Sequence, residues 1–221
     1  MAVPEVRLIG VTTPVIEECD TPGELLAYCA RISNPGNQAN SETAPRLLSY
    51  LVRNAHWSPF EMVSMTLEIR TTRDIARQIL RHRSFSFQEF SQRYAVVGSD
   101  PVYRLARMQN ASNRQASDET DDTDIQDWWS HRQLEVAKLS DEVYTQAISR
   151  GIAKEVARSV LPEGMTESVL YMAGTIRSWI HYCQLRTDPG TQKEHREVAK
   201  ACQKILLDRF TELGEYITVN Q

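Results

Sequence analysis

Val63-Ser64-Met65-Thr66-Leu67-Glu68-Ile69-Arg70 alternates apolar and polar side chains without a break. Successive strand residues point to opposite faces of a sheet, so this stretch reads as a strand with one buried and one open face. Beyond Thr72 the period changes. Ile75, Ala76, Ile79 and Leu80 recur at helical spacing, which predicts a helix over residues 73–82 with Thr72 as cap and Arg77, Gln78 and Arg81 on its polar side. No glycine-rich turn joins strand to helix. The nine glycines form no Gly-x-Gly-x-x-Gly anywhere, so no Rossmann fingerprint is encoded. The expectation is a compact α+β domain whose small mixed or antiparallel sheet is packed by several helices.

Working outward, a first strand is expected over residues 6–12. Thr21-Pro22-Gly23-Glu24 opens a helix whose buried face would be Leu25, Leu26, Tyr28, Cys29 and Ile32. Residues 33–37 are a loop by turn chemistry. A second helix over residues 42–54 carries Leu47, Leu48 and Leu51 inward, with Pro45 tolerated in its first turn. On the other side, residues 98–124 are polar and aperiodic and read as a long surface loop. A long helix over residues 124–150 follows, stopped by Gly151, then a shorter helix over residues 152–161 ending at Pro162. Residues 168–173 read as a strand, and Gly174 leads into a helix over residues 175–185. After the turn at residues 187–190 comes a final helix of about twenty residues. With no linker and no repeat, residues 1–221 are taken as a single domain.

The bulk chemistry excludes several classes. A formal net charge of −4 gives no general attraction for nucleic acid, so any anion site must be a local cluster of Arg or Lys. Cys19, Cys29, Cys183 and Cys202 form no Cys-x-x-Cys pair and read as free thiols in a reducing compartment. The five histidines, at positions 56, 82, 131, 181 and 195, show no His-Glu-x-x-His spacing, so no metal is expected. The N-terminal segment, with Glu5 and Arg7, lacks a signal-peptide core, and no run is long and apolar enough for a membrane span. These features predict a cytoplasmic protein without nucleic-acid or membrane partners.

One segment concentrates chemistry. Residues 81–93 hold three Arg, one His, one Glu and three Ser. Guanidinium forks bind phosphate bidentately, and serine hydroxyls complete such sites. On composition alone a solvated charged turn explains the cluster as well. Phe85, Phe87 and Phe90 interleaved among the cations favour a partly buried site for a flat anionic ligand. Arg177, His181 and Gln184 form a second polar stripe at helical spacing, opposite Ile176, Trp179, Ile180 and Cys183. For His181, a satisfied histidine at a buried polar edge is the competing explanation.

Arg81-His82-Arg83, seven residues, then Ser91 resembles the Arg-His-Arg-x7-Ser signature of flavin-dependent thymidylate synthases. Upstream, His56-Trp57-Ser58-Pro59-Phe60-Glu61 is similar to that family's His-x-Ser/Thr-x-Phe-Glu segment. Downstream, Ala157-Arg158-Ser159-Val160-Leu161-Pro162, Gly174-Thr175-Ile176-Arg177-Ser178-Trp179 and Leu185-Arg186 resemble its later blocks. The order agrees from about residue 5 to residue 210. Met62, His181 and an extra Gly164 are the departures.

The resemblance implies methylation of dUMP to dTMP with FAD as cofactor, 5,10-methylenetetrahydrofolate as carbon donor and NADPH as reductant. It implies a homotetramer whose active sites are shared between subunits. FAD contacts would fall to Ser58, Arg81, His82, Arg83, Glu89, Thr175, Ile176, Arg177 and His181. The dUMP contacts would fall to Gln78, Ile79, Leu80, Arg81, Glu89, Phe90, Ser91, Gln92, Arg93, Arg158 and Arg186. Arg186 would be the catalytic residue, stabilising negative charge on the activated pyrimidine. No cysteine stands in a basic setting, so the expected route uses no protein nucleophile and leaves the reactivity to the cofactor. A single-strand nucleic-acid platform built on the Arg/Phe segment and an inactive ligand-binding relative are the alternatives.

Overall fold

In the computed structural model, residues 5–98 and 100–213 are described. Residues 1–4 of the N-terminal reading, Ser99 in the polar stretch and the end of the expected domain after residue 213 lie outside the described residues. The alternating segment is strand β2 (Ser64–Thr72), and it is central. It pairs antiparallel with β1 (Glu5–Val11) on one side and β6 (Glu167–Thr175) on the other, and β6 carries the short β3 (Ser86–Glu89) at the far edge. Every pairing is antiparallel, which settles the mixed-or-antiparallel expectation.

The alternation does what the pattern demands. Met65, Leu67 and Ile69 are wholly buried, and in register with them Met172 and Leu170 of β6 point the same way. Each such side chain contributes about 1.5–3 kcal/mol by leaving water. The intervening Glu68 and Arg70 lie on the opposite face, where Glu68 is itself covered and its Oε2 meets Arg7 Nη2 of β1 at 3.1 Å.

The apolar face is covered by α3 (Arg73–Ile79), α6 (Ile176–Arg186) and α7 (Lys193–Arg209). Trp179 and Tyr182 of α6, and Val198, Cys202 and Leu206 of α7, are buried there. Trp179 spends its indole N–H on the Met65 carbonyl at 3.0 Å, so its burial strands no donor. Two further helices, α1 (Pro22–Ala30) and α2 (Ala44–Arg53), close the core's flank. A capping box starts α1: Thr21 Oγ1 accepts from the Glu24 N–H and Glu24 Oε2 accepts from the Thr21 N–H, an arrangement worth about 1 kcal/mol.

Four expectations need correction. Ile32 is 70% exposed, because α1 ends at Ala30 and Ile32 falls beyond its buried face. The stretch from 98 to 124 is no plain loop: β4 (Arg107–Gln109) and β5 (Ser117–Glu119) form a two-stranded sheet within it. Its backbone is pinned by side chains of α4 (Thr123–Ser149), with Gln133 bonding both N–H and C=O of Arg104, and Gln126 doing the same for Ala106. Amides replace apolar burial here, so no periodicity betrays the order. Residues 152–161 split into α5 (Lys154–Ala157) and a 3-10 turn Arg158–Val160. Finally, the strand expected to end at residue 173 runs on through Gly174 to Thr175, so Gly174 is a strand residue as well as the lead into α6.

The long helix α4 starts on Asp122, whose carboxylate accepts from the Ile125 N–H, and ends before Gly151 at φ +81°. It buries only Gln133, Ala137, Ser140 and Tyr144, and leaves Trp128 58% and Leu139 64% exposed.

Candidate active site

The motif segment leaves α3, turns at His82 and returns as β3. Two contacts fix that turn. Ser178 Oγ of α6 donates to the Ser84 carbonyl at 3.2 Å. The buried Phe85 ring packs edge-on against Trp179, with centroids 4.8 Å apart. Gly174 makes room for it: a Cβ there would lie 2.7 Å from Phe85 Cε1 and closer still to Cδ1. The interleaved phenylalanines thus divide. Phe85 anchors the loop in the core, while Phe90 stays on the surface.

The turn brings His82 onto α6. Arg186 Nε donates to His82 Nε2 at 2.9 Å, and the His82 ring stands edge-on to Tyr182 at 4.9 Å. Burial, then the Arg186 charge, pushes the His82 imidazole down to about 4. A neutral ring accepting at Nε2 carries its proton on Nδ1. The bond occupies only Nε of Arg186, so its terminal amino groups remain for a ligand anion. Beside it, Gln78 of α3 meets the buried His195 of α7, Oε1 to Nδ1 at 3.2 Å. Arg81 and Arg83 are exposed next to this cluster.

A second cluster forms where α6 begins. Thr175 caps the helix, accepting from the Ser178 N–H and donating to Glu61 Oε2 at 2.7 Å. Glu61 Oε1 also takes Arg177 Nη1 at 2.8 Å. The Thr175 bond and Arg177 hold the Glu61 carboxyl below its usual range, against the opposing effect of burial. His181, one turn on, rests against Trp57 with ring centroids 4.7 Å apart, and burial followed by the Arg177 charge lowers its pKa. Ser58 opens the same 3-10 turn that carries Glu61 and lines an apolar groove of about 440 Å³ with Tyr28, Ile32, Pro59 and Met62.

A third cluster lies at the sheet edge. Glu89 Oε1 accepts from Ser168 Oγ at 2.7 Å and faces Arg73 Nη1 at 3.5 Å. Glu89, Phe90 and Ser91 line a groove of about 770 Å³, which Tyr171 and Arg70 also border. Gln92 is buried, with an Nε2 that has no partner among the described residues. Arg93 pairs with Glu155 of α5 at 3.4 Å, three residues before Arg158, which is half-buried. Ile79 and Ile176 belong to the core and Leu80 is half-buried; the Ile176 N–H is already given to the Val63 carbonyl.

Sequence reading gave no role to Glu61, Arg73, Ser168, Tyr182 or His195. Of these His195 had a signal: with Val198, Ala199, Cys202 and Leu206 it falls on the buried stripe of α7. Among the described residues no group of His, Cys, Asp and Glu is arranged to hold a metal.

Compared with known proteins, residues 14–210 match the family model of the thymidylate synthase complementing protein. A probable flavin-dependent thymidylate synthase of Paramecium bursaria Chlorella virus 1 is 51% identical over 209 residues, covering 95% of this chain and 96% of that protein. A flavin-dependent thymidylate synthase of Synechocystis is 50% identical over 209 residues, 93% and 95% of the two chains. Among solved structures, a UMP/dUMP methylase, PolB from Streptomyces cacaoi bound with 5-Br dUMP, is similar with a TM-score of 0.81 and 28% identity, covering 99% of this chain and 97% of its own.

Proposed function

This chain belongs to the thymidylate synthase complementing protein family, the flavin-dependent thymidylate synthases, and from that premise we propose that it methylates dUMP to dTMP with FAD as resident cofactor, methylenetetrahydrofolate as carbon donor and NADPH as reductant. It is a methyltransferase of nucleotide biosynthesis. The observation that carries the reading is the Arg186–His82 hydrogen bond, which joins the Arg-His-Arg motif to the expected catalytic arginine across 104 positions of sequence.

The donor set suits FAD. Arg81, Arg83 and Arg177 offer guanidinium groups for a pyrophosphate. His82 and His181, with lowered pKa values, supply uncharged rings, and the Ser58 groove gives a flat apolar wall. When bound, the reduced flavin supplies the hydride. The protein's own part is positioning and charge. His82 holds Arg186 by Nε and leaves its amino groups to oppose negative charge developing on the uracil ring. Glu61 holds Arg177 by one terminal amino group, Nη1, and leaves the rest of that guanidinium to the cofactor. Ser91, Gln92, Arg93 and Arg158 bind the nucleotide, and Glu89, fixed by Ser168, faces both ligands.

The cysteines support a route without a thiolate. Burial raises the pKa of all four, and Cys183 and Cys202 are wholly enclosed. The exposed apolar row on α4, including Trp128, Leu139 and Val143, supports assembly into a homotetramer.

The visible spectrum of the purified protein tests the reading. Flavin bands that bleach anaerobically with NADPH, faster when dUMP is present, and dTMP formed on adding methylenetetrahydrofolate are the expected results. A colourless protein that takes up no FAD and oxidises no NADPH would overturn it.

A further inference from the structure

Behind Gln78 runs an unbroken chain of side chains. Arg107 Nη1 sits 2.7 Å from Glu194 Oε1, with Arg104 Nε at 3.8 Å. Gln192 Nε2 donates to Glu194 Oε2 at 2.9 Å. Gln78 Nε2 donates to Gln192 Oε1 at 2.8 Å. Gln78 Oε1 lies 3.2 Å from His195 Nδ1, and His195 Nε2 lies 3.2 Å from the Tyr182 hydroxyl. The chain links the sheet of β4 and β5, α7, α3 and α6.

Two amides, an imidazole and a phenol can each turn round, so most of this chain has no intrinsic direction. In reverse, Gln78 would give its N–H to His195 Nδ1, and His195 Nε2–H would donate to Tyr182, with as many bonds made. One member cannot be reversed. Glu194 is ionised, since Arg107, Gln192 and Arg104 outweigh burial and hold its pKa near 2. A carboxylate only accepts. Gln192 must therefore aim its amino group at Glu194 and its oxygen at Gln78. Gln78 must aim its amino group at Gln192 and its oxygen at His195. His195 must then carry its proton on Nδ1 and accept from Tyr182 at Nε2.

We infer that Glu194 is a positioning residue which, through Gln192, sets the direction of this chain and so fixes which way the Gln78 amide faces the nucleotide and which nitrogen of His195 carries the proton. One N–H on Gln78 Nε2 and one lone pair on Oε1 stay uncommitted, and which of the two lies on which side of the amide follows from the direction chosen. The inference rests on the proposed assignment of Gln78 to dUMP, while the state of His195 can be read without any substrate.

The test is the His195 tautomer, observed by long-range proton–nitrogen correlation in protein carrying nitrogen-15 histidine. The signal is identified by its loss in His195→Leu. The parent should show the Nδ1–H form alone at neutral pH. Glu194→Gln puts an amide, which can donate or accept, where the carboxylate was, and should let the Nε2–H form appear. Gln192→Leu cuts the chain while leaving Glu194 beside Arg107, should do the same, and carries the test alone if the first variant does not fold. In the steady state both variants should raise KM for dUMP about fivefold to tenfold with kcat and bound FAD unchanged, as loss of one well-placed hydrogen bond does. An Nε2–H or charged His195 in the parent, or an Nδ1–H form that persists in both variants, would overturn the directed chain. A shifted tautomer with an unchanged KM would overturn its role toward the nucleotide. A tautomer that shifts in the variants as expected, in a protein whose parent never forms dTMP, would instead sink the proposed function and leave the chain standing.

Discussion

Replacing Gly174 by alanine should destabilise this protein, although alanine is ordinarily the better strand residue. Gly174 sits in β6 opposite Met65 of β2, and a Cβ there would come 2.7 Å from Phe85 Cε1 and closer to Cδ1. The ring cannot simply swing away, since Trp179, Tyr182 and Phe87 surround it with centroids 4.8, 6.0 and 6.2 Å distant. Forced overpacking of this kind costs about 1–3 kcal/mol. In a chain of this size each kcal/mol moves Tm by about 2–4 °C, so a fall of roughly 2–12 °C is expected. Phe85→Ala should itself cost about 3–5 kcal/mol by leaving a cavity. In that background the new methyl meets open space, and Gly174→Ala should become stabilising by about 0.5–1 kcal/mol, the usual gain over glycine inside a strand. Urea unfolding of the four proteins of this double-mutant cycle gives the numbers. The same sign and size of effect in both backgrounds would refute the claim that Gly174 exists to admit the Phe85 ring. Because Phe85 follows the Arg-His-Arg turn, the single variant should also hold FAD less tightly.

Acid should weaken the fold before its carboxylates titrate. Folded His195 and His82 have pKa values of about 3 and about 4, against 6.5 for a free imidazole, so the unfolded chain takes up protons first as the pH falls. Their contribution is complete above about pH 6.5 and lost toward pH 4 and 3, at about 1 kcal/mol per pH unit for His195 and less for the more solvated His82. Unfolding free energies that stay flat from about pH 7 to 5 would contradict this. The Glu194 contribution is lost separately, from its ordinary value of 4.5 down toward about 2. Arg186→Ala should keep bound FAD and lose about 10²–10³ in kcat, as removal of a charge-stabilising group does, and retained turnover would take Arg186 out of the catalytic step.

Elements that have a period could be located from the amino-acid order. The strict alternation around Leu67 placed the central strand, and the stripes of α3 and α6 named their own buried faces, because period 2 and period 3.6 leave marks in local sequence. The fixed spacing of Arg81, His82, Arg83 and Ser91 likewise marked the family that the comparisons support. Tertiary structure alone decided what joins those pieces. Nothing near residue 86 marks β3 as a strand that gains its partner only from β6. Nothing near Arg104 tells that Gln126, Gln133 and Asp74 order the polar stretch around it. His82 acquires its acceptor role from Arg186, and Gln78 acquires its orientation from Glu194, through hydrogen bonds spanning about a hundred residues. Such bonds depend on where side chains meet in space, and a contact made once between distant positions has no repeat from which it could be read.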